Sequence, residues 1–167
     1  VIAFTLICEA VGATMLFAFF FNEGLDNALW LAIFHSISAF CTAGFSLFSN
    51  SFESYHEHTG INLVIAALSI LGAIGFIVMA DVWEKINGKR QNLHFTSKVI
   101  IRTTVLFLLV GTVVFAIIEP SIQSLTPAKR LQAAFFQVMT ATTTVGFNTI
   151  SIGELSSATI LSSSRSK

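Results

Sequence analysis

Charge is scarce in this sequence. Only 11% of its 167 residues are Asp, Glu, Lys or Arg, against 54% hydrophobic ones. That excludes an ordinary water-soluble domain, which needs far more polar side chains to cover its surface. Acidic and basic residues balance at nine each, so no polyanion is expected as a partner and nucleic acid is set aside. Two cysteines, Cys8 and Cys41, lie in apolar surroundings without metal-ligand spacing; they read as small packing residues and say nothing about redox compartment. No Ser/His/Asp, metal or nucleotide constellation converges, so an enzyme is not expected. A basic leader and an initiator methionine are missing too, and the chain opens inside an apolar run at Val1, which reads as a piece of a longer protein.

What is present is long apolar runs. Residues 1–21 are broken only by Glu9 and small residues, and at about 1.5 Å per residue they suffice for a hydrocarbon core of about 30 Å. Residues 61–80 and 100–118 read as further spans. Residues 28–40 and 127–141 are apolar helices too short to cross. Each runs into a glycine-centred stretch, 41–47 or 142–149, and so reads as a segment that dips into the membrane and leaves on the side it entered. Backbone of that kind is tolerated at membrane depth only when protein buries it or when it lines a water-filled path. Lys85, Lys89, Arg90 and Lys98 place the connection 81–98 in the cytoplasm by the positive-inside rule. The expectation is an all-α membrane protein of repeated span, re-entrant loop, span units. One unit covers 1–80, a truncated second covers 99–161, and 162–167 is a truncated or foreign tail.

The repeat is testable by superposing Gly44 on Gly146, a shift of 102 residues. Ala32 then meets Ala134, Phe34 meets Phe136, Ala39 meets Ala141, Thr42 meets Thr144 and Phe45 meets Phe147, while His35 falls on Gln137 and Ser38 on Thr140. Functional paths in membrane transport proteins commonly run along repeat interfaces. A dehydrated cation needs replacement oxygens, and backbone carbonyls supply them without a trapping negative charge. The candidate filter is Thr42, Ala43, Gly44 and Phe45 with Thr144, Val145, Gly146 and Phe147. Cys41, His35, Gln137, Thr143 and Asn148 would support it. Each short helix would turn the negative end of its dipole toward the ion.

Thr144-Val145-Gly146-Phe147 resembles the Thr-Val-Gly-Tyr core of potassium-channel filters. Phe34 to Phe40 followed by Ala43 to Leu47, with Gly146-Phe147-Asn148 and Gly153 later, resemble the second and third pore repeats of the Trk/Ktr superfamily of potassium transporters, nearest the Ktr membrane (B) subunit. The resemblance covers residues 1–161. It implies four such repeats around one path, a homodimer in the bacterial plasma membrane, and a cytosolic nucleotide-binding regulatory subunit. The transported ion would be K+, with Na+ as a coupling ion, and there would be no covalent cofactor. Two departures stand out: Cys41-Thr42 replaces the family's frequent Asn-Asn, and Thr143-Thr144-Val145 replaces Arg-Thr-Ala. Alternatives are a sodium or mixed-cation path and a non-conducting scaffold.

Other polar residues carry two readings each. Glu9 costs about 2.5–3.5 kcal/mol at a helix centre in lipid, so it is either packed against hydrogen-bond donors or part of an intramembrane ion site. His56 and His58 either hold a metal or are solvated. Glu23, Asp26, Glu53, Glu57 and Glu119 would enrich cations at an outer mouth, opposed by Lys129 and Arg130.

Overall fold

The computed structural model describes residues 2–89 and 91–150; Arg90, Gly153, the apolar stretch 158–161 and the tail 162–167 lie outside them. Among the described residues there are helices and no strand. Helix α1 is Ile2–Asn22, α2 Ala28–Phe40, α3 Thr59–Ile74, α4 Phe76–Ile86, α5 Phe95–Ile118 and α6 Pro127–Thr143. Single-turn 3-10 helices at Glu53–Tyr55 and Pro120–Ile122 sit in the connections.

Among the described residues two helices, α1 and α5, are each long and apolar enough to cross a membrane. Their surfaces show why this is an all-α membrane protein. Leu6, Ile7 and Val11 on α1 and Phe107, Leu109, Val113 and Ile117 on α5 are all exposed, an arrangement stable against lipid and untenable in water. Helix α2, 13 residues long, reaches only about 20 Å at 1.5 Å per residue.

The stretch 61–80, expected as one straight span, is divided between α3 and α4, which are bent by 100° relative to one another. The break is at Gly75, whose φ of +85° is a backbone state that ends an α-helix. Hydropathy continues unbroken through this point, so the apolar run conceals it. At the other end of the chain, α6 extends two residues beyond the expected 141, and the Thr143 hydroxyl donates to the Met139 carbonyl within its last turn (2.8 Å).

Helix α1 packs on α2 and α5 on α6, and α3 stands between α2 and α6, touching both. Leu16, Phe20, Ala32, Ile61, Ile65, Phe136, Met139 and Phe147 belong to one buried cluster along this seam. Gly72 on α3 allows the closest approach: a Cβ there would stand 1.8 Å from the Phe40 carbonyl oxygen at the end of α2. Backbone cannot swing aside as a side chain can, and overpacking of this sort costs about 1–3 kcal/mol. Gly72→Ala is therefore expected to lower the thermal unfolding midpoint of the purified protein in detergent. An unchanged midpoint would contradict the close α2–α3 contact.

Candidate pore loops

The two short helices end in loops of the same backbone shape. Thr42 has φ +50° and Gly44 φ +68°; 102 residues later Thr144 has φ +57° and Gly146 φ +88°. A threonine in the left-handed region is uncommon because its branched Cβ crowds the backbone there. Its occurrence at both equivalent positions marks a shared local structure. Left-handed Thr, one residue, then positive-φ Gly reverses the chain sharply at each helix end, and the carbonyls that follow are no longer committed to helical bonding. Among the described residues, no hydrogen bond reaches the carbonyls of Thr42, Ala43, Gly44, Thr144, Val145, Gly146 or Phe147.

The loops touch. Gly44 lies against the second loop so closely that a Cβ on it would stand 1.7 Å from the Val145 carbonyl oxygen and 2.8 Å from its carbon, whereas a Cβ on Gly146 would meet nothing within 4 Å. Equivalent glycines thus have unlike surroundings: one is wedged between the loops and the other opens onto free space.

Side chains from α2 hold the first loop. The fully buried His35 has its Nδ1 2.7 Å from the Leu31 carbonyl, which can only accept, so Nδ1 carries the proton. Nε2 is then the acceptor for the Leu47 backbone N–H (3.3 Å) and the Ser46 hydroxyl (3.1 Å). The ring stacks on Phe48 at 4.7 Å and meets Phe20 and Phe52 edge-on. Ser38 donates its hydroxyl to the Phe45 carbonyl at 2.8 Å. That carbonyl is turned back to the helix, leaving Thr42, Ala43 and Gly44 as the first loop's free ones.

The second loop is held otherwise. Gln137 and Thr140, the counterparts of His35 and Ser38, are buried, yet Gln137 Nε2, Thr140 Oγ1 and Thr149 Oγ1 have no hydrogen-bond partner among the described residues. The Asn148 N–H instead donates to the Ser51 hydroxyl (3.1 Å), and its carbonyl accepts from the Phe52 N–H (2.9 Å). Phe147 is fully buried beneath Phe52, while Phe45, its counterpart, is 71% exposed. Ser51 and Phe52 were not singled out by the sequence; only the aromatic spacing Phe48, Phe52, Tyr55 in an otherwise polar loop hinted at a packed structure.

Glu9 lies on α1 beside the end of α2. Its backbone carbonyl accepts from the Ser36 hydroxyl at 2.7 Å, and its carboxylate Oε1 is 3.9 Å from the Cys41 sulfur, the residue at which the first loop begins.

The polar residues at the loop 49–60 are largely committed to one another. Lys129 pairs with Glu57, and this hydrogen bond and charge hold the Glu57 carboxyl below the usual carboxylate range. The Thr59 hydroxyl donates to Gln132 Oε1 at 2.8 Å. His58 accepts from the Ile61 N–H at the start of α3 and faces Glu23 at 3.6 Å; His56 meets the Glu53 carbonyl. Both histidines therefore have local structural work. Glu119, expected at an open mouth, is fully buried and accepts from the Ser121 N–H, capping the turn that Pro120 begins. Arg130 donates to the Ala116 carbonyl.

Comparison with known proteins gives one family. The TrkH family model, described as cation transport protein, matches residues 1–163. Among curated relatives, the chain is 37% identical over 166 residues to the Ktr system potassium uptake protein B of Vibrio alginolyticus, covering 96% of the chain and 36% of that protein. It is 33% identical over 165 residues to the potassium/sodium uptake protein NtpJ of Enterococcus hirae, covering 96% of the chain and 36% of the relative. To the Ktr system potassium uptake protein B of Bacillus subtilis it is 34% identical over 142 residues, 83% of the chain and 31% of the relative. The chain spans about a third of the length of the relatives it matches.

Proposed function

The chain belongs to the TrkH family of cation transport proteins, and from that membership we propose that it supplies two adjacent pore-loop units to a potassium uptake path. Units 1–80 and 99–161 each contribute a stretch of backbone carbonyls, Thr42 to Gly44 and Thr144 to Phe147, to one filter. The observation that carries this reading is the recurrence, 102 residues apart, of a short helix, a left-handed threonine and a positive-φ glycine with unbonded carbonyls beyond it. Carbonyl dipoles replace the ion's hydration shell, and the negative ends of α2 and α6 add to the field favouring a cation. His35, Cys41, Thr143, Gln137 and Asn148 act behind the carbonyls and not on the ion. Glu9, a half-buried acid on α1 beside Cys41, would raise cation occupancy near the first loop.

Two units do not close a ring. The outer face of α2, with Trp30, Ile33, Phe34, Ile37 and the exposed Phe45, lines a cleft of about 210 Å³. The equivalent face of α6 is covered by α3, and there Phe136, Met139 and Phe147 are buried. The same covering by another unit would bury Phe45, in keeping with four units around one path. The connection 81–98, which takes in the end of α4 and the start of α5, lies on the cytoplasmic side. A homodimer in the bacterial plasma membrane, and a cytosolic nucleotide-binding partner within a multi-component system, complete the proposal. The multi-component part rests on two relatives being named protein B of a Ktr system; the dimer and the nucleotide-binding partner rest on the resemblance to the Trk/Ktr superfamily. The potassium/sodium naming of a third favours sodium as a second transported or coupling ion.

Uptake of K+ and Na+ by the full-length protein in proteoliposomes tests this. K+ flux exceeding Na+ flux is expected. Equal fluxes would favour the mixed-cation path, and no flux of either ion would support the scaffold reading instead.

A further inference from the structure

We propose that Ser51 and Phe52, in the loop that follows the first unit's filter, are positioning residues for the second unit's filter and so determine ion preference without touching the ion. The inference rests on the filter reading above. The second loop is strung between two fixed ends. One is α6, whose last turn is closed by the Thr143 hydroxyl. The other is Asn148, directly after Gly146-Phe147, whose N–H and carbonyl are both taken by the first unit, at Ser51 Oγ (3.1 Å) and the Phe52 N–H (2.9 Å).

Two independent features mark this contact as built. Ser51 has φ +54°, a conformation in which a residue with a Cβ is strained and which persists only where its surroundings impose it. Phe52 is fully buried; its ring meets Phe147 edge-on at 5.1 Å and His35 at 5.1 Å. His35 in turn holds Leu47 at the end of the first loop. One phenylalanine thus joins the support of the first filter to the second filter itself, and the width of one loop is tied to the other. Where a filter distinguishes ions of equal charge by the size of its carbonyl cage, slackening the anchor should let the second loop close around a smaller ion.

The test compares Ser51→Gly, Ser51→Asn and Gly146→Ser in the full-length protein, with K+ and Na+ flux normalised to protein in the membrane. Ser51→Gly relieves the backbone strain and removes the hydroxyl. The net worth of one hydrogen bond corresponds to about a three- to tenfold fall in K+ over Na+ preference. Ser51→Asn tolerates the left-handed backbone and retains an acceptor, so it should restore most of the preference. A loss in Ser51→Gly with recovery in Ser51→Asn supports the inference. Preference unchanged in Ser51→Gly but altered in Gly146→Ser overturns it and leaves the filter reading standing, as does equal loss in both Ser51 variants. Preference unchanged in Gly146→Ser removes the filter reading, and this inference with it.

Discussion

Gly44→Ala is expected to abolish cation uptake and to lower the protein's unfolding temperature. Its Cβ would have to occupy space 1.7 Å from the Val145 carbonyl oxygen, and both atoms belong to backbone whose position is set by a helix end. The alanine would also be held at φ +68°, which costs about 1–2 kcal/mol for a residue with a side chain. Overpacking adds about 1–3 kcal/mol. The relief open to the structure is to separate the loops, which moves the Val145 carbonyl. Uptake assays and thermal unfolding in detergent check both halves. Uptake near the unmodified level would mean that the contact between the loops has no part in transport.

Gly146→Ser should behave differently although it changes the equivalent residue. A Cβ at this position meets nothing within 4 Å, so the cost is confined to a backbone held at φ +88°, about 1–2 kcal/mol. The protein should fold and reach the membrane in normal amount. Strain within the filter shifts the local carbonyls, and 1.4 kcal/mol of differential binding corresponds to about tenfold in preference. The expected result is roughly a tenfold drop in K+ over Na+ selectivity, read from flux ratios at matched protein levels. Folding failure in Gly146→Ser, together with normal folding in Gly44→Ala, would reverse the assigned environments of the two glycines.

Much of the architecture was legible because a membrane protein writes it in hydropathy and length. The 13 residues of α2 are too few to cross, and Gly44 and Gly146 share a register in which aromatic, small and polar positions all agree. Those features depend on local backbone chemistry. What escaped depends on neighbours in space. Gly75 breaks an apolar run whose hydropathy does not change, so nothing in that run marks the bend. Phe45 and Phe147 each follow a filter glycine at the same register position, but only the second has the preceding unit's Phe52 above it. Ser38 and Thr140 both carry a hydroxyl at the same register position; only Ser38 turns a loop carbonyl back to its helix. Ser51 lies in a polar turn with no periodicity to distinguish it, and its partner Asn148 is nearly a hundred residues away. The acid Glu119 looked like part of an exposed mouth because charge usually means solvent, yet a cap on the following turn takes it into the interior.

The central claim is that the two loops present carbonyls to one and the same ion path. The most direct measurement is anomalous diffraction from the full-length protein crystallised in rubidium in place of potassium. Rubidium density adjacent to the free carbonyls of both loops is the expected result. Well-ordered loops with the rubidium located elsewhere in the membrane region, away from both sets of carbonyls, would contradict it.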